Sequence, residues 1–102
     1  MKKIKALALD IDGTITDSQR LLSINAIKTI RKVENNGIPV ILVTGNTAVY
    51  TYALTTSIGT TGGVVGENGG VMFKEGYKNN ETIVFADKKY IDKAYNYLKE
   101  NL

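Results

Sequence analysis

The chain contains no cysteine, no histidine and no tryptophan, and a single proline, among its 102 residues. Each absence closes off chemistry. Without cysteine there is no disulfide, no thiolate zinc site and no cysteine nucleophile. Without histidine there is no Ser-His-Asp triad, no phosphohistidine and no His-Glu-x-x-His metal site. No apolar run approaches the length of about eighteen residues that a membrane-crossing helix needs. Met1-Lys2-Lys3 resembles the basic start of a signal peptide. The apolar stretch behind it is broken by Lys5 and ends at Asp10, too soon for an export signal, so a cytoplasmic location is expected.

Charge of neither sign dominates. Thirteen Lys+Arg against ten Asp+Glu give a formal net charge of +3. The positive residues, among them Lys2, Lys28, Lys32, Lys74, Lys88 and Lys99, are scattered. That pattern predicts a solvated surface and no nucleic-acid partner. A hydrophobic share of 43% beside a charged share of 23% suits an ordinary globular chain, not a disordered one. The length suits one domain with a modest core.

Apolar periodicity sets out the elements. Ile4 to Leu9 is a nearly continuous apolar run, interrupted by Lys5, of the kind found in strands buried on both faces. Ser23 is placed to cap a helix whose stripe is Ile24, Ile27, Ile30 and Val33. Asn35-Asn36-Gly37 ends it, with Gly37 supplying a left-handed turn. Ile38 to Val43 is a second strand, with Pro39 tolerable near its start. Thr47 to Ile58 reads as a second helix despite its threonines and tyrosines. Val64-Val65 is a short third strand after the loop from Gly59 to Gly63. Val71 to Phe73 and Thr82 to Phe85 suit a β-hairpin around the polar segment between them. Asp87 can cap a last helix with the stripe Ile91, Ala94, Tyr95 and Leu98. Tyr90, Tyr95 and Tyr97 on that helix suit core and surface packing better than base stacking. Strands alternating with helices predict an α/β fold with a Rossmann-like parallel sheet, right-handed crossovers and ligands at the carboxyl ends of the strands.

Two loops at those ends carry chemistry. In Asp10-Ile11-Asp12-Gly13-Thr14, residues two apart on an extended segment share a face. Asp10 and Asp12 can then converge. Two close carboxylates repel unless one is protonated or a cation sits between them. Oxygen donors without nitrogen or sulfur favour Mg²⁺. Gly13 lets the backbone turn sharply beside a ligand. Taken alone, the same residues equally suit a carboxylate-rich turn. Val43-Thr44-Gly45-Asn46-Thr47 offers a hydroxyl, a glycine amide and a helix N-terminus for an anion; taken alone, it better suits a plain helix cap by Thr44 or Asn46. Both loops follow parallel strands and so share one edge of the sheet. A carboxylate pair with metal beside an anion cradle points to phosphoryl transfer. The glycine-rich stretch from Gly59 to Gly70 has neither Gly-x-G-x-x-Gly spacing nor a Gly-Lys-Ser/Thr ending. It reads as tight turns, with Glu67-Asn68 in position to line the pocket.

These residues resemble a known family. Leu7-Ala8-Leu9-Asp10-Ile11-Asp12-Gly13-Thr14-Ile15 is similar to motif I of the haloacid dehalogenase superfamily, and Val40-Ile41-Leu42-Val43-Thr44-Gly45-Asn46 to its motif II. Val65-Gly66-Glu67-Asn68-Gly69-Gly70 resembles the third core strand of members with a cap inserted after motif II. Asn46, where many relatives carry arginine, resembles archaeal-type phosphoglycolate phosphatases. The resemblance implies a two-step phosphatase acting on a small phosphorylated metabolite. Asp10 would be the nucleophile and Asp12 the acid and base. Mg²⁺ would be held by the Asp10 carboxylate and the Asp12 carbonyl. Gly13, Thr14, Thr44, Gly45 and Asn46 would contact the substrate. It also divides the chain into a partial core, residues 1–81, and the opening strand and helix of a cap, residues 82–102.

The departures from the family are equally definite. The motif III lysine and the motif IV Gly-Asp-Gly-x-Asn-Asp of full-length members do not occur. The chain therefore resembles the first half of a phosphatase, with an incomplete set of metal ligands and no lysine beside the phosphate. The strand from Ile4 to Asp10, central in the family, becomes an edge here, and an apolar edge seeks a partner. A homodimer or a complex with a chain covering that edge is expected. Two other functions compete: a non-catalytic half-domain that binds phosphate or a partner, and a receiver-type phosphoacceptor. Receivers place adjacent acids after the first strand and an acceptor aspartate after the third. Here the acids are spaced Asp-x-Asp and the third strand ends Gly66-Glu67.

Overall fold

The computed structural model describes residues 2–76, 82–84 and 87–102. Its strands are β1 (Leu7–Asp10), β2 (Val40–Val43), β3 (Val64–Gly66), β4 (Val71–Phe73) and β5 (Thr82–Val84). Its α-helices are α1 (Ile24–Asn35), α2 (Ala48–Ile58) and α3 (Lys88–Asn101). The five strands form one sheet in the order β1-β2-β3-β4-β5. β1, β2 and β3 run parallel, and β4 and β5 are antiparallel to their neighbours. The expected α/β sheet and hairpin are present. Phe85, at the end of the expected second hairpin strand, lies outside the described residues.

Two parallel crossovers of the same hand, between strands taken in order, put both helices on one face of the sheet. The core agrees: Ile11, Ile15, Ile30, Val40, Leu42 and Ile58 are buried together, with Leu7, Leu9, Val33 and Leu54 packed against them. The opposite face is open. β1 alternates half-buried Leu7 and Leu9 with exposed Ala8 and Asp10, and Val43 on β2 is exposed. The expectation that the first apolar run is buried on both faces is therefore not met. Its first residues stand outside the strand, with Ile4 64% exposed. β1 has one hydrogen-bonded neighbour, β2, and is the edge of the sheet.

The cap of α1 is the expected one, whereas α2 is capped by Thr47 in place of Thr44 or Asn46. Ser23 Oγ accepts from the Ala26 N–H at the start of α1, and Gly37 follows the helix with φ +79°. Ile24 faces solvent, so the stripe begins at Ala26 and Ile27. Thr47 Oγ1 accepts from the Tyr50 N–H at the start of α2. The threonines that weaken α2 by propensity are accommodated inside. Thr51 and Thr55 are buried, and their hydroxyls donate to the carbonyls of Thr47 (3.0 Å) and Tyr52 (2.7 Å). Their methyl groups thus enter the core without an orphaned donor. Tyr52 meets Phe73 edge to face, with ring centroids 5.2 Å apart.

α3 is capped by Asp87, whose Oδ1 accepts from the Lys89 N–H. It buries none of its residues: Ile91, Tyr95 and Leu98 of its apolar stripe are all more than half exposed. Tyr90 and Tyr97 are surface residues as well. Among the described residues no helix is long and apolar enough to cross a membrane.

Two side chains tie α1 to the rest at the end of the sheet away from the strands' carboxyl ends. Arg31 donates through Nε to the Ile58 carbonyl (3.0 Å) and through Nη2 to the Ser57 carbonyl (3.1 Å), capping the C-terminus of α2. Glu34 accepts from the Val40 N–H (2.8 Å), the Thr61 N–H (2.7 Å) and the Thr61 hydroxyl (2.7 Å). Hydrogen bonds to a charged acceptor are stronger than neutral ones, and removing the acceptor strands its donors. Glu34→Ala is expected to lower the free energy of unfolding by about 2–3 kcal/mol, with a smaller loss for Glu34→Gln. Urea denaturation measures this; equal stability of Glu34→Ala and the native chain would refute it.

Candidate active site

Register fixes where the chemistry sits. Asp10, the last residue of β1, is paired with Val43, the last of β2, and Val43 is paired with Val65. The loops after all three parallel strands therefore leave from one lip of the sheet.

The first loop turns tightly. The N–H groups of Thr14, Ile15 and Thr16 all donate to the Ile11 carbonyl, and the Gly13 N–H donates to Thr16 Oγ1 at 2.9 Å. Gly13 has φ +78°, a conformation that side chains disfavour. Ile11 and Ile15 plug the core, which anchors the turn and leaves Asp10 and Asp12 exposed on either side of Ile11. Thr14, exposed on the same loop, also borders an apolar groove of about 320 Å³ between β1 and α1, with Leu7, Leu9 and Val33. That groove has no titratable lining residue, so the chemistry of the lip does not extend into it.

The second loop is more ordered than a plain cap. Thr44 is 5% exposed, and its Oγ1 accepts from the Asn46 N–H at 3.1 Å. The Thr44 N–H donates to the Val65 carbonyl at 2.9 Å. Asn46 Nδ2 donates to Asp12 Oδ2 at 3.2 Å. This bond joins the first loop to the second across 34 residues of sequence and turns Asp12 toward the Thr44 loop. The Gly45 N–H makes no hydrogen bond to any described residue. It stands beside the N-terminus of α2, where the helix dipole favours an anion.

A third element completes the lip. Glu67–Gly69 is a single 3₁₀ turn in which both Glu67 (φ +54°) and Asn68 (φ +55°) are left-handed. The Glu67 N–H donates to the Asn46 carbonyl (2.8 Å) and the Asn68 N–H to the Thr44 carbonyl (3.3 Å). Gly66 makes this approach feasible: a Cβ there would lie 2.6 Å from Ala48 Cα. From the sequence, Glu67 and Asn68 stand out only by their position at the end of a strand. Their left-handed backbone has no sequence signature beyond the asparagine and the neighbouring glycines.

Of the residues expected at a site, Asp10, Asp12, Gly13, Thr44, Gly45 and Asn46 thus lie along one lip, and Thr14, on the first loop, also borders the groove. No lysine or arginine among the described residues pairs with Asp10 or Asp12. Among the described residues the two carboxylates are acceptors without a paired protein cation. Their hard oxygen chemistry, together with the Asp12 carbonyl, fits Mg²⁺ by type. No group of three or more carboxylates gathers among the described residues, so these residues supply only part of a coordination shell.

A parallel α/β sheet with an Asp-x-Asp loop and a Thr-Gly loop on one lip defines the class: a Rossmann-like α/β fold with a carboxylate pair beside a helix N-terminus. Residues 7–102 match the haloacid dehalogenase-like hydrolase family, and the chain belongs to it. It is 52% identical over 99 residues to a phosphoglycolate phosphatase of Methanobrevibacter smithii, covering 97% of this chain and 42% of that protein. It is 47% identical to the phosphoglycolate phosphatase of Methanothermobacter thermautotrophicus, covering 94% of this chain and 42% of the relative. Among solved structures, protein 0175 of Thermoplasma acidophilum superposes with a TM-score of 0.81 at 35% identity, over 97% of this chain and 43% of that one. A haloacid dehalogenase-like hydrolase from Bacillus subtilis shares the fold with a TM-score of 0.74 at 24% identity, over 95% of this chain and 34% of that one. The chain spans about two fifths of the length of the curated relatives it matches.

The lip depends on close approach at Gly66. Gly66→Ala forces a Cβ into the backbone of Ala48. The expected loss of stability is about 1–3 kcal/mol. Gly70→Ala, whose nearest contact is the Glu67 carbonyl at 3.2 Å, is expected to cost less. Thermal melts of the two variants compare them; an equal effect would refute the packing argument.

Proposed function

We propose that this chain carries the nucleophile-bearing half of a Mg²⁺-dependent phosphatase, phosphoglycolate phosphatase-like, that hydrolyses a small phosphomonoester through an aspartyl-phosphate. The observation that carries the reading is the 3.2 Å hydrogen bond from Asn46 to Asp12, which brings the two motif loops to one point. The names of the relatives support phosphoglycolate or a similar small phosphorylated acid as substrate.

In this reading an Asp10 carboxylate oxygen attacks phosphorus, and the bond from phosphorus to the leaving oxygen breaks. Asp12 gives its proton to that oxygen. Asp12 then takes a proton from water as the water attacks the aspartyl-phosphate, releasing phosphate and restoring Asp10. The Gly45 N–H, the Thr44 hydroxyl and the N-terminus of α2 hold the phosphoryl oxygens in place, and Gly13 lets the backbone of the first loop approach them. Asn46 keeps Asp12 aimed at the reacting centre. Thr14 contributes through the first loop. A bound Mg²⁺, held by the Asp10 carboxylate and the Asp12 carbonyl, supplies charge neutralisation between the carboxylates and the phosphate. A cytoplasmic location goes with this reading. So does the division into a partial core, residues 1–81, and the start of a cap, residues 82–102.

One observation favours a second reading. Neither a third carboxylate nor a pairing lysine stands beside Asp10 and Asp12 among the described residues. A half-domain of this kind binds phosphate without turning it over, and a second copy or another chain covers the β1 edge to complete the sheet.

Phosphate release from an aryl phosphate, with and without Mg²⁺, separates the readings. For a phosphatase, release depends on the metal and falls by roughly a thousandfold or more in Asp10→Asn. Metal-dependent binding of inorganic phosphate without turnover supports the half-domain. Absence of both removes the phosphate site. Light scattering tests the covered edge. A dimer is expected; a monomer at high concentration, with rapid amide exchange along β1, would argue against it.

A further inference from the structure

Glu67 and Asn68 are consecutive non-glycine residues in the left-handed region, at φ +54° and +55°. Such a backbone costs on the order of 1 kcal/mol per residue and persists only where surrounding contacts impose it. Here the contacts are identifiable. The two N–H groups of the turn reach the carbonyls of Thr44 and Asn46, at opposite ends of the second loop. Gly45 lies between those anchors, and the Asn68 carboxamide rests on it: a Cβ at Gly45 would fall 2.9 Å from Asn68 Oδ1. Neither the Asn68 carboxamide nor the Gly45 N–H has a hydrogen-bond partner among the described residues. The side chain therefore packs against the loop without a hydrogen bond that would explain its placement.

We propose that Asn68 is a positioning residue of the phosphate loop: its neutral carboxamide, seated on Gly45, fixes the direction of the Gly45 N–H and closes that side of the oxyanion cradle. The inference rests on the phosphatase reading given above and deepens it. Asparagine suits the position on two counts. It tolerates the left-handed backbone better than most residues. It is also uncharged, whereas aspartate, which shares its shape and its backbone tolerance, would set a negative charge beside the bound anion.

That difference makes the test. Binding of inorganic phosphate in the presence of Mg²⁺ is measured by calorimetry on the 102-residue chain. Melting temperatures are recorded alongside. Asn68→Asp is expected to weaken phosphate binding by about tenfold, with melting little changed. A purely structural role would leave this near-isosteric variant close to native. Asn68→Gly keeps the left-handed backbone and is expected to lose about threefold as the loop loosens. Gly45→Ala is expected to weaken binding by displacing Asn68, and Asn68→Gly added to it is expected to restore part of the loss, as a direct contact requires. Native binding with Asn68→Asp within twofold of it, or no recovery in the double variant, overturns the proposal while sparing the phosphatase reading. No phosphate binding by the native chain overturns both.

Discussion

The parallel register of β1, β2 and β3 is the constraint on which the rest depends. Pairing Asp10 with Val43 and Val43 with Val65 ends three strands at the same height. A slip of one residue would send Asp10 to the other face and aim Ile11 at solvent. Burial of Ile11 and Ile15 in the core prevents that slip. The polar residues of the lip are therefore held in place by apolar ones beneath them. The Asn46–Asp12 hydrogen bond then aims Asp12 within a lip that the apolar residues have already located.

Much of this was legible in the chain. The strand and helix order, the caps at Ser23 and Asp87, and the turn at Gly37 each follow from a local rule that the structure obeys, while the cap of α2 falls at Thr47 and not at Thr44 or Asn46. The two motif loops were legible for the same reason, since a loop after a parallel strand has a fixed edge. What escaped was tertiary. Periodicity in Ile4 to Leu9 cannot distinguish a strand covered on both faces from one covered on one, because that depends on which elements are present to cover it. The stripe on α3 suggests burial by pattern, yet finds no core to enter. The contact of Asn68 with Gly45 joins residues with no shared periodicity, and only the fold brings them together.

The arrangement also explains why helix propensity is a poor guide here. α2 contains three threonines and two tyrosines, yet it supplies the N-terminus at the lip. Buried threonines that bond back to their own helix let it sit close against β3, where Gly66 admits the Ala48 backbone. Small and hydroxylated side chains bring the dipole of α2 near the sheet; a leucine-rich helix would stand further off.

The Arg31 and Glu34 ties lie at the far end of the layer from the lip. Charged side chains fasten the base of α2 and the entry to β2, while the opposite end is held by backbone bonds and side-chain amides. Cohesion is thus concentrated at one end of the layer and polar chemistry at the other, so a substitution at the lip that alters anion affinity leaves the Arg31 and Glu34 ties in place.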